Sequence, residues 1–204
     1  MSPLTPPTDV SALIGFRAGL HSCLTGWADA TFEVCEALLC TPGPVRSVPA
    51  LSLESVFGRS HGSLYAGLKG TRVDTAALRA LLVAHRPPDW PNIYAVDASA
   101  WARSNAECSP ERGFYYSPSQ HSSGQPIVAG WSYSWIAQLG WAPDSWTAPV
   151  DVARIPPRAD VTTTTASQIQ ELVTALQSAP GTNTGPTPLL VFDAGTTRPD
   201  SPTT

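Results

Sequence analysis

The sequence is short of charge. Only 14% of its 204 residues are Asp, Glu, Lys or Arg, against the ~25% common in soluble domains. Its net charge of −4 argues against a stand-alone nucleic-acid binder, which usually carries a basic face. No run approaches the ~18 apolar residues of a membrane-spanning helix. Residues 1–8 have neither a basic start nor an apolar stretch, so no secretory leader is expected. These gaps predict a cytoplasmic chain with no membrane partner. The four cysteines, Cys23, Cys35, Cys40 and Cys108, lack the second CxxC-type pair of a zinc site and read as reduced thiols. No GxxxxGK[ST] loop is present, and "GLKGTR" (67–72) does not supply one, so a nucleotide site is not expected. "GWSYS" (130–134) departs from the GxSxG pattern of a nucleophilic serine.

What is present is turn, helix and then strand. Pro is 21 and Gly is 15, so much of the chain is loop. Residues 1–96 balance seven basic against seven acidic side chains, whereas residues 97–204 hold five against nine. Residues 1–8 are expected to be disordered. Helical pattern dominates 9–88, a region read as a DNA-binding unit. Leu13, Phe16, Leu20, Leu24 and Trp27 recur at three and four within 9–40, an apolar stripe with Asp9 before it as N-cap, and Phe32, Cys35, Leu38 and Leu39 either continue it or form a second helix after Asp29. "SHGSLYAGLKGTRVD" (60–74) reads as a short helix and "VDTAALRALLVAHRPP" (73–88) as a longer one capped by Asp74. Arg59, Lys69 and Arg72 are candidate phosphate contacts there, although such cations also simply solvate a helix face.

From residue 92 the pattern changes. "NIYAVDASAW", "GFYYS", "PIVAGWSYSWIAQLGW" and "SWTAPVDVARI" are strand-like and aromatic, with the first strand ending at Asp97. "TASQIQELVTALQS" (165–178) is a helix in which Thr165 and Gln168 match a capping box. "LLVFD" (189–193) is a final strand that ends in Asp193. Trp131, Trp135, Trp141 and Trp146 are expected mainly in the core, with base stacking as the other use. Glu107, Glu111, Asp144 and Asp151 read as loop and surface charges.

Strand, strand, strand, helix, strand is the order at the front of a ribonuclease H-like domain. The crossover helix then returns the last strand beside the first, parallel to it. Asp97 and Asp193 would face each other there, although far apart in sequence. A hard divalent ion needs more than one carboxylate, and two such ions can activate a nucleophile and relieve charge on a phosphodiester. Either Asp alone could equally be a residue that caps a strand end.

Several stretches carry a family resemblance in the right order: "GPVRSVPALSL", "HGSLYAGLKGTRVD", "YAVDASAWARSNAECSPERGFYY", "GQPIVAGWSYSWIAQL" and "LLVFDAG". Together they resemble bacterial insertion-sequence transposases of the DDE superfamily, more narrowly actinobacterial ones. The resemblance implies an α+β or α/β fold: a helical N-terminal region, then an incomplete ribonuclease H-like mixed sheet over 92–195. It implies cleavage and strand transfer of DNA at transposon ends with Mg²⁺ or Mn²⁺. Asp97 and Asp193 would be catalytic residues and metal ligands. The family's third carboxylate, a downstream Glu, has no counterpart here. "TTRPDSPTT" (196–204) stands in its place and is expected to be a disordered tail. The expectation is a truncated enzyme, inactive alone. The alternative is a non-catalytic remnant that binds transposon ends or intact transposase.

Overall fold

The structure is a computed structural model and describes residues 10–45, 47–117, 126–141, 143, 146–179 and 187–192. The expected tails 1–8 and 196–204, together with Asp144 and Asp193, lie outside these residues. The chain divides into two compact units, Met1–Leu81 and Leu82–Thr204.

The first unit is mostly helical. It holds α1 (Val10–Ser22), β1 (Leu24–Thr25), α2 (Ala28–Cys40), α3 (Val48–Leu51), α4 (His61–Gly70), β2 (Arg72–Val73) and most of α5 (Thr75–Ala84). The helical stretch predicted over 9–40 is two helices, the second of the two readings, divided at Gly26 and Trp27, both left-handed with φ of 64° and 54°. Glycine adopts that region freely, whereas a bulky residue does so only when its surroundings hold it. Trp27 is held against Gly70, where a β-carbon would come within 2.7 Å of its Cδ1. Of the predicted apolar stripe, only Leu24 is buried. No residue of α1 is buried, and Leu13 and Trp27 are both more than half exposed.

The core of this unit is Val34, Ala37, Leu51, Phe57 and Leu64. Gly67 lets α4 approach α2 closely, since a β-carbon there would lie 3.0 Å from Thr31 Oγ1. The short α3 occupies what reads in the sequence as loop, started by Pro49 in its first turn. Asp74 caps α5 as expected, its Oδ1 accepting from the Ala77 amide at 2.9 Å.

The second unit is a mixed five-stranded sheet with a helix on one face. The strands are β3 (Ile93–Ala102), β4 (Gly113–Tyr116), β5 (Ile127–Leu139), β6 (Thr147–Ile155) and β7 (Leu189–Phe192), and α6 (Val161–Ser178) precedes β7. The order is β4-β5-β3-β7, with β6 also paired to β5. β3, β4 and β6 run antiparallel to β5, and β7 runs parallel to β3. This is the α+β, ribonuclease H-like arrangement.

Tyr94, Val96, Ile136, Val150, Leu172 and Leu176 form the core between sheet and α6. A bulge at Val150 follows from the register, in which Ile136 pairs with Asp151 and Ala137 with Pro149. It turns both Val150 and Asp151 inward. Asp151, expected on the surface, is 6% exposed.

Helix α6 begins earlier than the sequence suggests. Asp160 is its N-cap, accepting from the amides of Thr162 and Thr163. Thr165 and Gln168 do not form a capping box. They are buried inside the helix, where Gln168 Nε2 donates to the Ser134 carbonyl at 3.2 Å. The run of threonines at 162–165 has weak helix propensity, which hides the first turn until the Asp160 cap is seen.

Candidate active site

Alternation along β3 sends Tyr94 and Val96 into the α6 core and Asp97 to the opposite face, where it is exposed. The Ala98 amide donates to Asp97 Oδ1 at 2.8 Å, which restrains the carboxylate at the sheet surface. β3 does not end at Asp97 as the sequence suggests. It continues to Ala102 because residues 97–102 keep their partners on β5, from Trp135 to Gly130.

The other side of β3 holds β7. Ile93, Tyr94, Ala95 and Val96 pair with Leu189, Leu190, Val191 and Phe192, and the Leu189 amide donates to the Asn92 carbonyl at 2.9 Å. Asp97 is thus the first β3 residue past the described pairing with β7. Asp193 is the next residue of the chain after Phe192 and lies outside the described residues.

A hard divalent ion prefers carboxylate oxygen, so Asp97 fits one by donor type and exposure. Among the described residues no cluster of three or more His, Cys, Asp or Glu stands ready to hold a metal ion. Glu107 and Glu111 are exposed, whereas the buried Asp151 belongs to β6.

The three cationic candidates differ in how committed they are. Arg59 bridges two carboxylates of α2, with Nε 2.9 Å from Glu33 and Nη2 3.1 Å from Asp29. His21 also reaches Asp29, at 2.9 Å. That hydrogen bond, with the nearby Arg59 charge, holds the Asp29 carboxyl below its ordinary value despite some opposing desolvation. Lys69 is exposed in the last turn of α4, and Arg72, exposed on β2, donates to the Gly70 and Thr71 carbonyls. Backbone carbonyls leave the guanidinium charge in place.

One feature of the open sheet face is not legible as a motif. Asp97 pairs with Trp135, Ser99 with Tyr133 and Trp101 with Trp131. These pairs form successive rows on one face, because every second residue of a strand shares a face. Only the strand register, which no spacing within one segment reveals, brings the rings beside the carboxylate.

No helix among the described residues is long and apolar enough to cross a membrane. No curated protein and no solved structure matches the chain. Residues 19–198 match the family described as DDE superfamily endonuclease. Such endonucleases act on DNA and generally use divalent metal ions. With 19–198 of its 204 residues in that match and a ribonuclease H-like sheet beneath it, the chain belongs to the DDE superfamily endonuclease family.

Proposed function

We propose that the protein is a transposase-type member of this family, built to break and rejoin phosphodiester bonds at the ends of a mobile DNA element. Asp97 and Asp193 are the proposed catalytic carboxylates and would hold Mg²⁺ or Mn²⁺. The observation that carries the reading is the parallel pairing of β3 with β7, in register through Val96 and Phe192. The next residue of each segment is an Asp. Ions bound there would supply an activated nucleophile and relieve charge on the phosphate and leaving oxygen.

The chain's own part is to hold its carboxylates still. Asp97 is tied by the Ala98 amide, and its strand is anchored by Tyr94 and Val96 in the core beneath. In the helical unit, Lys69 and Arg72 are the proposed phosphate contacts. Arg59 contributes less, since Asp29 and Glu33 offset its charge.

Terbium luminescence tests the metal site. Terbium(III) is a hard cation, and Trp135 pairs directly with Asp97 across the strands, close enough to sensitise it. Excitation of tryptophan should give terbium emission that Mg²⁺ or Mn²⁺ displaces and that Asp97→Asn and Asp193→Asn each reduce. Emission unchanged in both variants would end this reading. Supercoiled plasmid with either metal tests the chemistry. Nicking that Asp97→Asn abolishes would support Asp97 as a catalytic carboxylate. Nicking that survives Asp97→Asn would remove Asp97 from catalysis.

A further inference from the structure

We propose that the open face of the sheet beside Asp97 is a stacking platform for unpaired DNA bases, with Trp101 as its principal ring. The inference rests on the DNA-processing reading above and names the form of DNA that its site takes. Trp101 stands four residues beyond Asp97 on the same face of β3, about 13 Å along the strand. It is 46% exposed, a large cost for an indole that serves only as core.

Its neighbours hold it ready for a ligand. The Tyr133 ring lies 5.6 Å away at 60° and props the indole from one side. Trp131, its cross-strand partner, is fixed by donating Nε1–H to the Pro110 carbonyl at 3.3 Å. Arg154 stacks over Trp131, 5.6 Å from the ring centroid, and is itself paired with Glu111 at 3.1 Å.

The chemistry of the rim favours nucleic acid over an apolar protein partner. Immediately past β3, Arg103 donates to the Ala102 carbonyl, and Arg112 donates to the carbonyls of Arg103 and Ser104. Carbonyl partners aim these guanidiniums without cancelling their charge. Exposed rings bordered by aimed cations are how single-stranded nucleic acid is held without sequence preference, base on ring and phosphate on cation. A hydrophobic protein segment would gain nothing from that rim. A duplex keeps its bases stacked inside and offers the platform nothing to stack. An end that has frayed, or a base turned out near the cleaved bond, would be caught a short reach from Asp97.

The test is equilibrium binding of the full chain, without metal, to a fluorescein-labelled oligothymidylate of about ten nucleotides. An abasic oligomer and a duplex of the same length are the comparisons. The expected result is preference for oligothymidylate over the abasic strand, with quenching of tryptophan emission. Trp101→Leu should weaken oligothymidylate binding roughly 5- to 150-fold, and Trp101→Phe should restore most of it. Equal affinity for the abasic and base-carrying strands overturns the platform without needing any variant. So does unchanged binding in a folded Trp101→Leu protein. Duplex binding with no hold on oligothymidylate overturns the platform and leaves the endonuclease reading standing. Failure to bind any of the three overturns it as well, and the terbium titration then decides the endonuclease reading separately.

Discussion

Gly130 sits in β5 where two neighbours close in at once, Ala102 of β3 on one side and Gly113 of β4 on the other. A β-carbon there would collide with the Trp101 carbonyl and crowd the Arg103 amide. Backbone atoms inside a sheet cannot step aside as a flexible side chain can. Gly130→Ala should therefore cost about 1–3 kcal/mol or more, read as a lowered melting temperature, and should disturb the neighbouring Trp101. Gly15 is the control, a helical glycine with no heavy atom within 4 Å of its would-be β-carbon. Gly15→Ala should instead stabilise by about 0.5–1 kcal/mol. The arginines separate at the same scale. Arg59 is held by Asp29 and Glu33, so Arg59→Gln should lower the melting temperature more than it lowers affinity for duplex DNA. Arg72→Gln should do the reverse and reduce the slope of log affinity against log salt by about one. Equal effects from the two variants would show that the ion pairs do not set these roles apart.

At the scale of the element, α6 matters most, because it carries the chain from β6 back to β7, the strand paired with β3. Its start depends on one side chain. Asp160 accepts from the Thr163 hydroxyl at 2.6 Å, the Thr163 amide at 2.8 Å and the Thr162 amide at 3.3 Å. The Thr163 hydroxyl, followed by these amides, holds the Asp160 carboxyl below its ordinary value. A depressed carboxyl stabilises the fold above its unfolded value of about 4, and that contribution is lost as pH falls through the lower folded value. Asp160→Ala should thus melt earlier than wild type at pH 7, and the gap should close as the pH is taken below about 4. A gap that persists unchanged in acid would mean the cap does not act through its charge. Much at this scale was legible. The strand-like runs at 113–117, 126–141 and 145–155 and the Asp74 cap needed only alternation and local chemistry. What was not legible came from tertiary geometry. The left-handed Gly26–Trp27 break depends on Gly70 leaving room for an indole, and the inward turn of Asp151 depends on a bulge. β3 runs past Asp97 because β5 is long enough to pair it.

At the scale of the whole molecule, the family match over residues 19–198 runs through both compact units, so the helical region belongs to the same family pattern as the sheet. The pairing of β3 with β7 was readable from element order. The aromatic rows beside Asp97 were not, since they exist only once β3 and β5 are aligned. The proposed metal site at Asp97 and Asp193 has a consequence for the stability of the entire fold. A cation bound there would stabilise the fold, because anything that binds only the folded state stabilises it by mass action, about 2.7 kcal/mol at a hundredfold excess over its Kd. In EDTA, Asp97→Asn should melt close to the wild-type temperature, since Asp97 is exposed at the sheet surface. Saturating Mg²⁺ should raise the wild-type melting temperature by several degrees and leave Asp97→Asn unmoved, with Asp193→Asn behaving alike. Thermal melts of the three proteins with and without Mg²⁺ check this directly. An equal Mg²⁺ response in wild type and Asp97→Asn would mean the ion binds elsewhere. Destabilisation by Asp97→Asn in EDTA would mean that Asp97 serves the fold through its bond to the Ala98 amide.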